Sequence, residues 1–115
     1  MADLKVLQKK IIAFRDERDW KQFHNPKDLA ISLSLEASEL LEHFQWKTPE
    51  EISSYVLKNK NDISDELADV LNYVLIIAND LDIDIMMASL KKLKKNSEKY
   101  AVEKSRGNHK KYTEL

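Results

Sequence analysis

An all-α protein is predicted by three features of the 115-residue sequence. Apolar residues recur every three to four positions through four long stretches. No stretch alternates apolar and polar residues as a half-buried strand does. Glycine occurs once and proline twice, too few for a fold rich in tight turns. The connections are short, which favours antiparallel neighbours, so a four-helix bundle is expected. A chain of this size makes one domain and buries about two-thirds of its unfolded surface. So modest a core gains from oligomerisation.

The first helix is expected from about Asp3 to Asp19, with Asp3 as N-cap and Leu4, Leu7, Ile11 and Phe14 on one face. The second starts at Asn25-Pro26, where asparagine suits the cap and proline the first helical position. It runs through Leu29, Leu33, Ala37, Leu40 and Leu41 to about Phe44. A short helix is expected at Thr48-Pro49, with Glu51 completing a capping box. The third long helix, about Asp62 to Asp80, is apolar on most sides and is expected to sit centrally. The fourth runs from about Asp84 to Glu103, and Arg106-Gly107-Asn108 breaks it. This divides the chain into a bundle domain, residues 1–105, and a C-terminal tail, residues 106–115.

Composition excludes several kinds of chemistry. A single glycine leaves no phosphate-binding loop and no dinucleotide fingerprint. The absence of cysteine excludes disulfides and thiolate metal sites. No segment has the ~20 apolar residues of a membrane span. The start, Met1-Ala2-Asp3-Leu4-Lys5, lacks a signal-peptide apolar run, so a cytoplasmic protein is expected. The net charge of −1 conceals an uneven distribution. Residues 1–90 carry 10 basic and 17 acidic side chains, and residues 91–115 carry 9 and 3. The basic segment has only Tyr100 and Tyr112 as aromatic residues, a poor platform for stacking a polymeric nucleic acid.

The informative pattern is acidic. Glu36 and Glu39, and likewise Glu66 and Asp69, are spaced i, i+3, so each pair shares a helix face. Both pairs lie within apolar stretches that draw them toward the bundle interior. Four carboxylates left there uncompensated would cost several kcal/mol per ion. A divalent cation offsets that cost, and hard oxygen ligands select Mg²⁺, Mn²⁺ or Ca²⁺. Ordinary surface acids on amphipathic helices are the competing explanation. A di-iron centre would need Glu-x-x-His on two helices, which neither helix has. At ~100° per residue, Asp62, Glu66, Asp69 and Tyr73 share one sector, and His43 falls between Glu36 and Glu39. A histidine at a helix C-terminus is more often a cap than a ligand.

Trp20, Phe23 and His24 cluster between the first two helices, and Trp46 follows the second. Such residues either plug the ends of a core or stack a planar base. Lys92, Asn96 and Lys99 line one edge of the fourth helix, either gripping phosphate oxygens or snorkelling at the core boundary.

Glu36-x-x-Glu39, 26 intervening residues and Glu66-x-x-Asp69 together resemble the metal motif of the MazG-like all-α nucleoside triphosphate pyrophosphohydrolases. The run Glu17-Arg18-Asp19-Trp20-Lys21-Gln22-Phe23-His24-Asn25-Pro26 is similar to the dCTP pyrophosphatase branch. So are Phe44-Gln45-Trp46-Lys47 and the closing Lys111-Tyr112-Thr113-Glu114-Leu115. The resemblance implies cleavage of a nucleotide triphosphate between its α and β phosphates, giving monophosphate and pyrophosphate. It implies Mg²⁺, with Mn²⁺ as a substitute, on Glu36, Glu39, Glu66 and Asp69. Trp20, His24, Trp46 and Tyr73 would line the nucleotide site. Lys92, Asn96 and Lys99 would lie near the phosphates, and the assembly would be a homodimer or homotetramer. The chain departs from the branch at Ile11, where a base-binding histidine stands, and at Ala101, where many relatives have proline. It also lacks the longer loop that animal members carry before the short helix. These departures bear on base preference more than on chemistry.

In the mechanism so implied, Glu36 or Glu39 orients or deprotonates the attacking water, and Lys92 and Lys99 stabilise the departing pyrophosphate. Two other classes compete: a non-catalytic helical interaction module, and a nucleic-acid binder using the basic segment.

Overall fold

The computed structural model describes residues 3–114; Met1, Ala2 and Leu115, which belong to the expected start and closing motif, lie outside them. Each long helix begins on a side chain that satisfies an otherwise unpaired backbone N–H. Asp3 accepts from the Val6 amide at 2.9 Å and opens α1, Leu4–Glu17. Asn25 accepts from the Asp28 amide at 2.9 Å and opens α2, Pro26–Glu42. Thr48 and Glu51 form the expected capping box at the head of α3, Pro49–Asp80. Asp84 accepts from the Met87 amide at 3.1 Å and opens α4, Ile85–Lys99. A four-residue helix, α5, spans Val102–Ser105, and single 3₁₀ turns occupy Lys21–Phe23 and Tyr112–Glu114. Among the described residues there is no strand, so the all-α expectation holds.

Two boundaries differ from the sequence expectation. The short helix expected at Thr48 is longer than expected and meets the long helix expected from Asp62 at Asn59 with no loop between them, so the two are labelled together as α3. Neither glycine nor proline interrupts the polar run Lys58-Asn59-Lys60-Asn61, so no loop opens there. The two segments join in a kink at Asn59, whose φ of −119° and ψ of 23° leave the helical range. The Asn59 side-chain amide donates to the Tyr55 carbonyl at 3.0 Å, giving that group a partner at the kink. The fourth helix, in turn, stops at Lys99 rather than Glu103, because Tyr100 leaves helical geometry.

The chain forms two compact units, one ending at Asp82 and the other beginning at Ile83. In the first, α1 and α2 both pack on α3, as its apolar surface predicts. Leu29 of α2 and Leu75, Ile76 and Ala78 of α3 are buried. Full burial of one such leucine stabilises by roughly 1.5–3 kcal/mol. Gln8 of α1 donates to the Leu75 carbonyl at 2.9 Å. Arg15, only 2% exposed, binds Asp80 at 2.7 Å and Asp16 at 3.1 Å, tying the end of α1 to the end of α3. Asp19 and Asp82, just after α1 and α3, both adopt φ of 54°, the left-handed geometry that terminates helices.

In the second unit, α4 is followed by α5, which ends at Ser105, where the expected tail begins. Tyr112 folds back edge-on to Tyr100, with ring centroids 6.1 Å apart, and the Lys99 ammonium lies 4.7 Å from the Tyr112 ring centre. Among the described residues, no helix is long and apolar enough to cross a membrane.

Candidate functional site

The site is built where the second half of α2 lies against the middle of α3. The i, i+3 spacing sets Glu36 and Glu39 on one face of α2, and α3 presents Glu66 to them. One carboxylate oxygen from each of the three lies within 4.8 Å of the other two. Glu36 Oε2 and Glu66 Oε2 are buried and lack a hydrogen-bond partner. Among the described residues of this unit, no lysine or arginine comes within ion-pair distance of the three.

Asp69 stands outside this trio. Helix-wheel spacing places it on the Glu66 face but does not set the angle at which α2 and α3 cross, and that angle decides which acids converge. Its charge nonetheless acts on both Glu36 and Glu66.

The electrostatics follow from this crowding. Burial, then hydrogen bonding to Glu39, then the charges of Glu39, Asp69 and Glu66 push the Glu36 carboxyl up to about 7. Glu66 is also raised, first by its hydrogen bond with Glu39 and then by burial. Like charges confined together favour protonation, or a bound cation. Three hard oxygen donors with two buried, unpartnered atoms fit a divalent ion of the magnesium class.

A cleft of about 440 Å³ opens on these acids, lined by Glu39, Glu42, His43, Tyr55 and Glu66. The sequence pattern gives no indication of Tyr55 or Glu42. Residue 55 lies on the segment expected to form a separate short helix, and only the loop-free junction at Asn59 relates it to Glu66. His43 did show a signal, one turn after Glu39 on the same face. It does follow the last turn of α2, but its ring engages Tyr55 and faces Glu66.

The other expected site residues fall into three groups. Trp20, 45% exposed, packs edge-on to Phe14 with ring centroids 5.7 Å apart. His24 is half-buried with its Nδ1 buried and unpartnered. Burial and then the charge of Arg15 hold its pKa below the ordinary value, against a smaller opposing effect of Asp80. Trp46 is 86% exposed, so it plugs no core within this chain. Tyr73 is half-buried on α3, one turn beyond Asp69. Lys92, Asn96 and Lys99 lie on α4, in the second unit, where Asn96 is half-buried and Lys99 is engaged with Tyr112.

Comparison with known proteins gives a consistent set of relatives. The model of the MazG-like family matches residues 31–115. The chain is 39% identical over 104 residues to dCTP pyrophosphatase 1 of Mus musculus, covering 89% of this chain and 61% of that protein. It is 38% identical over 104 residues to dCTP pyrophosphatase 1 of Homo sapiens, with the same coverage. The chain thus spans about three-fifths of the length of the curated relatives it matches. Its structure is similar to the crystal structure of a pyrophosphatase from Archaeoglobus fulgidus. The TM-score is 0.82 and the identity 36%, over 88% of this chain and 94% of that one.

Proposed function

The chain belongs to the MazG-like family, and on that premise we propose that it is a nucleoside triphosphate pyrophosphohydrolase. Its substrate in this reading is dCTP or a related pyrimidine nucleotide, the class named in its curated relatives. The products are the nucleoside monophosphate and pyrophosphate. The observation that carries the proposal is the convergence of Glu36, Glu39 and Glu66 with no lysine or arginine among the described residues of this unit within ion-pair distance.

Glu36, Glu39, Glu66 and, through its charge, Asp69 would hold Mg²⁺, with Mn²⁺ as a substitute. Such an ion neutralises phosphate charge that otherwise repels a nucleophile. Glu36 or Glu39 orients the attacking water or takes its proton. The exposed faces of Trp20 and Trp46 offer stacking surfaces for the base, with His24 and Tyr73 beside it in the family pattern. Lys92, Asn96 and Lys99 belong to the phosphate side of the substrate, where ammonium groups stabilise leaving-group charge.

The proposal includes a homodimer or homotetramer located in the cytoplasm. Ile31 and Leu35 on α2 and Leu67 and Leu71 on α3 are between 40% and 60% exposed, apolar surface suited to a second copy. The bundle domain is taken as residues 1–105 and the tail as 106–115.

A panel of nucleoside triphosphates assayed for pyrophosphate release with Mg²⁺ tests reaction, ion dependence and base choice together. A pyrimidine deoxynucleotide is expected to react fastest. Glu39→Gln is expected to slow release by about 100-fold or more while helical circular dichroism is retained. Silence of the wild-type chain toward every triphosphate would sink the proposal, and wild-type turnover by the variant would remove Glu39 from the chemistry.

A further inference from the structure

The most organised part of the cleft, apart from the acids, is a line of side chains running from α3 to the end of α2 and back. Tyr55 Oη lies 2.6 Å from His43 Nδ1. The other ring nitrogen, His43 Nε2, lies 4.0 Å from Glu66 Oε1. Glu66 Oε2 is buried and has no partner. The two oxygens of this carboxylate therefore have different surroundings, Oε1 facing an imidazole and Oε2 buried without a hydrogen-bond partner.

We propose that His43 and Tyr55 are positioning residues for Glu66, holding its carboxylate so that one oxygen is braced and the other is presented to a divalent cation. The proposal rests on the reading that Glu36, Glu39 and Glu66 hold such an ion. Hydrogen placement follows from the chemistry of the line. If Nε2 carried a lone pair, it would face a carboxylate oxygen, which also carries lone pairs. With Glu66 ionised, as cation binding requires, every arrangement that avoids this puts a hydrogen on Nε2. In the neutral ring, the Tyr55 hydroxyl then donates to Nδ1 and selects that tautomer. At 4.0 Å the Nε2 contact is electrostatic and lies beyond hydrogen-bond range. Its role is to bias the orientation of Glu66.

A positioning group must itself be held, and Tyr55 is held from several sides. Phe44 meets its ring edge-on with centroids 6.3 Å apart. The Lys47 ammonium lies 4.1 Å from its ring centre. Its carbonyl accepts from Asn59 at the kink. His43 and Tyr55 also line the cleft together with Glu39 and Glu66, so the line opens on the carboxylates and is not sealed in the core.

The test is Mn²⁺ binding to the full chain without nucleotide, followed by the electron paramagnetic resonance of the free ion. Loss of an outer partner of a metal ligand typically weakens metal binding 10–100-fold, so His43→Leu should weaken Mn²⁺ binding by about tenfold or more. Tyr55→Phe, which removes a single oxygen and keeps the ring, should weaken it by about threefold. His43→Gln places an amide donor near the position of Nε2 and should stay within about threefold of wild type. Circular dichroism checks folding, and Tyr55→Phe decides the matter if His43→Leu does not fold.

Wild-type affinity in Tyr55→Phe and in any folded His43→Leu would overturn the proposal while leaving the ion site intact. So would a His43→Gln variant as weak as His43→Leu, because packing rather than donation would then explain the effect. A wild-type chain that takes up no Mn²⁺ is a separate result: it removes the ion site and the positioning role together.

Discussion

At one end of α3, Arg15 is buried between Asp80 at 2.7 Å and Asp16 at 3.1 Å. Midway along the same helix, Glu66 meets Glu36 and Glu39, and among the described residues of this unit no lysine or arginine opposes them within ion-pair distance. The first cluster shows that this fold pairs a buried charge when the charge serves structure. Burial works against the charge of Arg15, and the hydrogen bonds and charges of Asp80 and Asp16 outweigh it. In the second cluster the like charges are left facing one another, and burial combines with repulsion to raise Glu36 to about 7. The contrast marks the first cluster as structural and supports the ligand-binding role proposed for the second.

Neutralising a charge should therefore have opposite effects in the two places. Arg15→Met should destabilise the chain by about 2 kcal/mol, because it leaves the part-buried Asp80 side chain, 17% exposed, without its cation. Adding Asp80→Leu should recover much of that loss. Urea unfolding of the single and double variants measures both, and an Arg15→Met variant of unchanged stability would erase the distinction between the clusters. Glu36→Gln, in chelator at pH 8, should stabilise the chain by on the order of 1 kcal/mol, since it relieves repulsion that solvent partly screens. A destabilised Glu36→Gln would mean that the acidic cluster is structural too.

The smallest expected effect is in the pH dependence of the ion-free protein. Glu36 titrates near 7 when folded, against an ordinary 4.5. As pH rises from 4.5 to 7, the unfolded chain loses this proton first, so the native state loses stability across that window. Asp80 has the opposite sign. Burial pushes its carboxyl up, but hydrogen bonds from Arg15 and Asn79 and the charge of Arg15 outweigh burial and hold it below 3.8. Its contribution is complete above that value and is lost as pH falls through the lowered one. Melting temperatures followed across pH in chelator should show a neutral-side decline that Glu36→Gln reduces, the raised Glu66 supplying the remainder, and an acid-side decline that it leaves in place. A neutral-side decline of unchanged size in Glu36→Gln would assign the effect to another group.

Much of this was legible in the sequence because it is local. The caps at Asp3, Asn25, Thr48 and Asp84 and the paired spacing of the acids depend on neighbours within one turn of helix. The central place of α3 followed from its apolar surface. What was not legible depends on how helices meet. The angle between α2 and α3 brings Glu36, Glu39 and Glu66 together and leaves Asp69 outside. The kink at Asn59, where the side chain bonds the Tyr55 carbonyl, is encoded by no periodicity. The engagement of His43 with Tyr55 joins residues of two helices, so neither helix pattern contains it.

The loop-free junction inside α3 places a constraint on chain length. Tyr55 and Glu66 ride on two helical segments joined directly at Asn59, so the number of residues between them works as a phase setting. One residue inserted after Asn59 would turn everything downstream by about 100° relative to Tyr55 and carry Glu66 off its face. The turn of residues 43–48 is held separately, by His43 and Lys47 on Tyr55 and by the Thr48 cap. Insertions and deletions should therefore be rejected between Lys60 and Glu66.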